Sequence, residues 1–129
     1  MAEELGSPGA PWTRFEATRV ELTDRDAIVW RIAGNFTDCH EAFDFLNDFR
    51  TEAGKGSGPL ILDMAQLHHL TSCGAGIIAA CAVSASNAER NLAVVGLSAR
   101  ADAVMTVVGL KKAVPTFATA EDALRGLSN

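Results

Sequence analysis

The sequence predicts an α/β domain built on a mostly parallel sheet, with helices packed against it and a hairpin at the N-terminal end. Three observations predict it. Short segments with period-2 alternation or a continuous apolar run recur along the chain, as strands require. Amphipathic stretches of about ten to fifteen residues separate them, the length of a crossover helix. The chain has 129 residues, 48% of them hydrophobic and 21% charged, which is enough for one core without disulfide or metal staples. The expected order is ββαβαβαβα.

Each element has its own signal. Residues 1–12, with Gly6, Pro8, Gly9 and Pro11, read as a flexible tail, and 13–129 as the domain. Phe15 to Leu22 mixes polar and apolar positions, as an exposed strand does. Thr23-Asp24-Arg25-Asp26 is turn chemistry. Ile28, Trp30 and Ile32 then alternate with Val29, Arg31 and Ala33 as the second strand of the hairpin. Asp38 stands as the expected cap of the first helix, with Glu41 three residues on in capping-box spacing. Ala42, Phe45, Leu46, Phe49 and Ala53 form the apolar stripe of that helix.

The glycine-rich run from Gly54 to Pro59 stops the helix. Leu60-Ile61-Leu62, ending at Asp63, reads as an interior parallel strand, and Met64 to Leu70 as a connection. A nearly all-apolar helix follows from about Cys73 to Ala88, and Asn91 to Gly96 gives another buried strand. Ser98 is the expected cap of a third helix, with Val104, Met105, Val107 and Val108 inward and Gly109 as a left-handed stop. Ala113 to Phe117 is the last strand, placed at a sheet edge because Pro115 has no amide donor. Thr119 caps the final helix, with Ala123, Leu124 and Leu127 inward.

A net charge of −5 argues against nucleic acid or an anionic membrane surface as the main partner. No apolar stretch approaches the length of a membrane span, so no membrane insertion is expected. Cys39, Cys73 and Cys81 show no metal-ligand spacing, and the N-terminal residues do not resemble a secretory signal. Reduced thiols in a cytoplasmic protein are the simplest account.

Enzymatic signatures are missing. Gly74-Ala75-Gly76 lacks the third glycine of a dinucleotide fingerprint and the Lys-Ser/Thr of a phosphate loop. Ser72 is not framed as a nucleophile elbow, and nothing in the sequence orients His68 or His69 as a base. His68 and His69 read as polar loop residues, and His40 as a solvent-facing residue of the first helical turn. Together with Asp63 the histidine pair makes only a weak metal set, because adjacent histidines point apart. The expectation is a non-enzymatic protein with no metal and no cofactor.

The turn Thr71-Ser72-Cys73-Gly74 stands apart. Two hydroxyl residues precede an apolar helix, so one of them is a natural N-cap. The same geometry favours a negative charge, because the first amides of a helix are open and its dipole is positive there. A phosphate on Ser72 would add about −1.5 to −2 charges without unfolding the domain. Cap and switch are both open readings of this turn.

Taken in order, several segments resemble the STAS domain, the family of anti-sigma-factor antagonists and sulfate-transporter C-terminal domains. They are Gly34-Asn35-Phe36-Thr37, Leu60-Ile61-Leu62-Asp63 and Leu70-Thr71-Ser72-Cys73-Gly74-Ala75-Gly76. Val108-Gly109-Leu110, Val114-Pro115-Thr116-Phe117 and Ala120-Glu121-Asp122-Ala123-Leu124 continue the pattern, so the resemblance covers nearly all of the chain after the tail. It implies a regulatory protein that binds an anti-sigma factor/serine kinase partner and is switched by phosphorylation at Ser72, with Thr71 the second choice. It also implies a partner surface of Asn35, Thr37, Asp38, Thr71, Ser72, Cys73, Gly74 and Ala75, and assembly with other STAS domains in the manner of stressosome proteins. Two positions depart from the family: Thr71 stands where an Asp precedes the acceptor, and Thr37 where another Asp is common, with Asp38 beside it. These departures also fit an alternative, a non-phosphorylated STAS subunit docked on the ATPase of a lipid-transport ABC complex.

Overall fold

The computed structural model describes residues 14–22 and 26–127. The expected tail and residues 23–25 of the expected hairpin turn lie outside them. Strands β1 (Glu16–Leu22) and β2 (Ala27–Phe36) form the antiparallel hairpin. Helix α1 (His40–Ala53) leads to β3 (Leu60–Leu70), and α2 (Ser72–Asn87) to β4 (Leu92–Val95). Helix α3 (Ala99–Val107) and a 3-10 turn at Leu110–Lys112 precede β5 (Thr116–Phe117) and α4 (Ala120–Leu127). The sheet order is β1-β2-β3-β4-β5, with every pair after the hairpin parallel. The order of elements is the one predicted, and β5 is the edge strand expected from Pro115.

Two clusters of buried residues lie on the two faces of the sheet. One joins α1, α2 and α3 to Trp30, Ile32, Phe36, Leu60, Leu62 and Val94. The other is smaller and packs Ala123 and Leu124 of α4 on Val29, Ile61, Ala93 and Val95. Alternation along β2 therefore does not separate buried from exposed. Ala27 to Trp30 are all buried, because each face has its own cover.

Three expectations are corrected. The cap of α1 is Cys39, which makes no side-chain capping bond, so Asp38 and Glu41 do not form a capping box. The helix begins later than the spacing suggested, and the Asp38 carboxylate instead accepts a bond from Thr37 Oγ1 at 3.1 Å. Residues 64–70 are not a connection but the second half of β3, paired with β2 as far as Leu70. Strand β4 pairs with β3 only from Leu60 to Asp63, so the far half has a neighbour on one side alone. Its alternation fades because Ala65, Gln66, His68 and His69 are all exposed. His68 and His69 thus sit near the end of a strand rather than on a loop.

The third correction concerns α3. Met105 and Ala101 are buried one turn apart and set the inward direction. Val104 is half-buried, whereas Val107 and Val108 are 84% and 44% exposed. Two residues past Met105 a helix has turned through about 200°, so Val107 faces outward. Gly109 does stop the helix in the left-handed conformation, at φ +83°.

A buried cation closes the end of the molecule away from the Ser72 turn. Arg90 donates from Nε to the Gly58 carbonyl at 2.7 Å and from Nη1 to the Glu52 carbonyl at 2.9 Å. The guanidinium satisfies carbonyls left open where α1 ends, and its charge suits that helix terminus.

Candidate functional site

Strands β2 and β3 end side by side, with Phe36 opposite Leu70. The chain then turns from Leu70 into α2 through Thr71. Thr71 has extended backbone and is the N-cap of α2. Its hydroxyl donates to the Phe36 carbonyl at 3.1 Å and accepts from the Gly74 amide at 3.0 Å. The Thr71 amide also donates to the Phe36 carbonyl, at 3.1 Å. One residue therefore caps the helix and ties its start to the end of the neighbouring strand.

Gly74 is required by that tie. A Cβ there would lie 2.1 Å from the Phe36 carbonyl oxygen, far inside contact distance. The absence of a side chain lets the first turn of α2 rest on the end of β2. A Cβ at Gly76 would meet nothing within 4 Å, so that glycine leaves the outer side of the turn bare.

Ser72 occupies the first helical position and is exposed. Among the described residues its hydroxyl makes no hydrogen bond, in contrast to that of Thr71. Residues 72, 76, 79 and 83 fall on one helical face, so Ser72 begins a stripe continued by Gly76, Ala79 and Val83. Val83 is largely exposed, and with Ala79, Ala82, Leu110 and Ala113 it lines an open apolar groove of about 390 Å³.

The predicted partner residues divide by exposure. Asp38, Ser72 and Cys73 are exposed, and Asn35, Thr37 and Thr71 are half-buried at the adjoining ends of β2 and β3. Gly74 and Ala75 are buried, so they shape the turn from within and add no outward surface. Burial at these two follows from the approach of α2 to β2, which the linear order of residues does not display. Val83, Val107 and Val108 were not among the predicted contacts. Val83 was legible at helical spacing from Ser72, while the two valines of α3 were read as core.

The described residues contain no group of three His, Cys, Asp or Glu placed to hold a metal ion. Cys81 is buried in the core, and burial pushes its thiol up to about 12. Cys73 lies exposed beside Ser72. No helix among the described residues is long and apolar enough to cross a membrane.

Solved structures with the same fold are numerous. An anti-sigma factor antagonist from Mycobacterium paratuberculosis is 20% identical, with 90% of this chain and 96% of that one covered at a TM-score of 0.77. An anti-sigma factor antagonist described as putative, from Thermotoga maritima, is 17% identical over 88% and 95% of the two chains, with a TM-score of 0.72. SpoIIAA, another anti-sigma factor antagonist, matches in its unphosphorylated form at 21% identity and a TM-score of 0.69, over 90% of this chain and 100% of that one. In its phosphorylated form, from Bacillus, it matches at 19% identity and a TM-score of 0.64, over 87% and 97%. No curated protein matches in sequence. The family model of the STAS domain matches residues 19–123, nearly the whole described chain, and the protein belongs to the STAS domain family.

Proposed function

We propose that this protein is an anti-sigma-factor-antagonist-like regulator that docks an anti-sigma factor/serine kinase through the Ser72 turn and the outer face of α2. Phosphorylation of Ser72 switches that docking off. The observation that carries the reading is the division of labour at the turn. The Thr71 hydroxyl is used twice in holding the helix start, whereas the Ser72 hydroxyl is exposed and makes no hydrogen bond among the described residues. Ser72 is therefore the acceptor favoured over Thr71, since modifying Thr71 would break the cap.

The chemistry of the switch is local. A phosphate on Ser72 sits at the positive end of α2, where its charge is tolerated. The same charge stands at the head of the stripe Ser72, Gly76, Ala79 and Val83, which a partner must cover. Burying a doubly charged group against an apolar contact is costly, so the complex opens while the domain stays folded. The solution of the related SpoIIAA in both unphosphorylated and phosphorylated forms supports a fold that carries the modification. Asn35, Thr37, Asp38 and Cys73 complete the proposed contact surface, and other STAS domains are candidates for co-assembly on it.

Incubation with ATP and a lysate of the source cells, followed by phosphosite mapping, tests the proposal. Phosphate on Ser72 is the expected result. If neither Ser72 nor Thr71 is modified and the captured partner is a transporter ATPase, the lipid-transport subunit is the correct reading. Thr71 in place of the acidic residue is the feature that favours this alternative. With the kinase-type partner in hand, Ser72→Asp should bind about tenfold more weakly than Ser72→Ala, about 1.4 kcal/mol. Equal binding by the two variants removes the electrostatic switch.

A further inference from the structure

The histidine pair at positions 68 and 69 borders a crevice that the Ser72 turn does not use. Strand β3 has eleven residues and β4 only four, and the two pair from Leu60 to Asp63 alone. Beyond Val95 the chain turns off at Gly96, whose φ is +74°, and enters α3 at Ala99. The last residues of β3 therefore overhang their neighbour. Between the overhang and the first turns of α3 lies a crevice of about 490 Å³, a size that suits a small molecule.

Its walls are of two kinds. Leu67, Leu70, Ala101 and Val104 give it an apolar body, with Leu70 and Ala101 buried and Leu67 and Val104 half-buried. His68, His69 and Arg100 stand exposed on its polar side, and no carboxylate lines it. In a chain of net charge −5 this is a local reversal of sign. Arg100 makes no ion pair among the described residues. The acid in the first turn of α3, Asp102, is taken by Lys111 at 2.7 Å and does not line the crevice. The dipole of α3 favours the same sign of ligand as Arg100 does. The groove beside Val83 offers an internal comparison: it is of similar size, about 390 Å³, and has no charged residue in its lining.

We propose that the crevice between β3 and α3 binds a small monocarboxylate with an apolar body, of the class of medium-chain fatty acids. The carboxylate meets the guanidinium of Arg100 and the imidazole of His69, and the apolar body lies on Leu67, Leu70 and Val104. A neutral ligand leaves Arg100 unanswered. A polyanion finds too few cations and an apolar wall that it cannot wet. The lining ends at Leu70, before Thr71, so the site does not rest on phosphorylation of Ser72.

Titration of the whole chain with octanoate, followed by backbone amide resonances, tests the site. Saturable shifts are expected at residues 67–70 and 99–104, with a dissociation constant of about 1 mM or below. Arg100 is exposed and unpaired, so Arg100→Gln keeps the fold; it should bind octanoate about fivefold more weakly, and Arg100→Lys should recover most of the loss. Affinity should also fall as salt is raised. Octanol binding the crevice as well as octanoate does would overturn the proposal, because the charge would then count for nothing. So would equal binding by wild type and Arg100→Gln, octanoate filling the Val83 groove first, or no saturation by about 10 mM. A blocked tetrapeptide alternating glutamate and leucine is the last arm. Tighter binding of that peptide at the same residues would make the crevice a peptide site and likewise overturn the assignment.

Discussion

Thr71 and Gly74 do at residue scale what the whole Ser72 turn depends on. Replacing Thr71 by Ala removes the cap and one tie to Phe36, and should cost about 1 kcal/mol in urea unfolding. Gly74→Ala forces a Cβ against the Phe36 carbonyl and should cost about 2–3 kcal/mol. A Gly74→Ala variant as stable as wild type would mean that α2 does not rest on β2 as described. The cap was legible in the sequence, because a hydroxyl before an apolar helix has few other roles. Which of Thr71 and Ser72 serves as cap was not, since only the position of the β2 end decides it. Thiol chemistry reads the same scale. Exposed Cys73 should label readily with a disulfide reagent in the native state, whereas Cys81, buried and with its thiol pushed up to about 12, should label only on unfolding. Peptide mass spectrometry of the labelled protein separates the two.

Between elements, the bond from Arg19 to Glu52 joins the edge strand to α1. Arg19 beside it lowers the Glu52 carboxyl below the ordinary glutamate value. A carboxylate lowered in the folded state contributes stability that is present above its unfolded value and is lost as the pH falls through its folded value. Glu52→Gln should therefore lower stability by about 0.5 kcal/mol at pH 7, the range of an exposed pair. The gap from wild type should shrink as the pH is taken below about 4. A gap that does not change with pH, followed by urea midpoints, would assign the effect to packing. Element boundaries show where sequence patterns lose their force. The stripe on α1 was readable because a single core faces it. The far half of β3 was not, because irregularities in its pairing with β2 shift the register and set its inward residues, Met64, Leu67 and Leu70, three apart rather than two. The valines of α3 misled for the opposite reason: they are apolar and point to solvent.

For the molecule as a whole, the alternation of strands and helices carried the architecture, and the two sheet faces explain what alternation within β2 could not. One face takes three helices and the other takes only α4, so the core is unequal on the two sides. The spatial order of the strands is also their order along the chain. No strand is inserted between two that were made before it. Each new strand can add to an edge that already exists, and every ladder joins segments that are neighbours in sequence. Loop closure is then short at every step, which favours rapid folding. During synthesis the hairpin, α1 and β3 can assemble before α4 leaves the ribosome, and the growing sheet always offers its next partner an open edge.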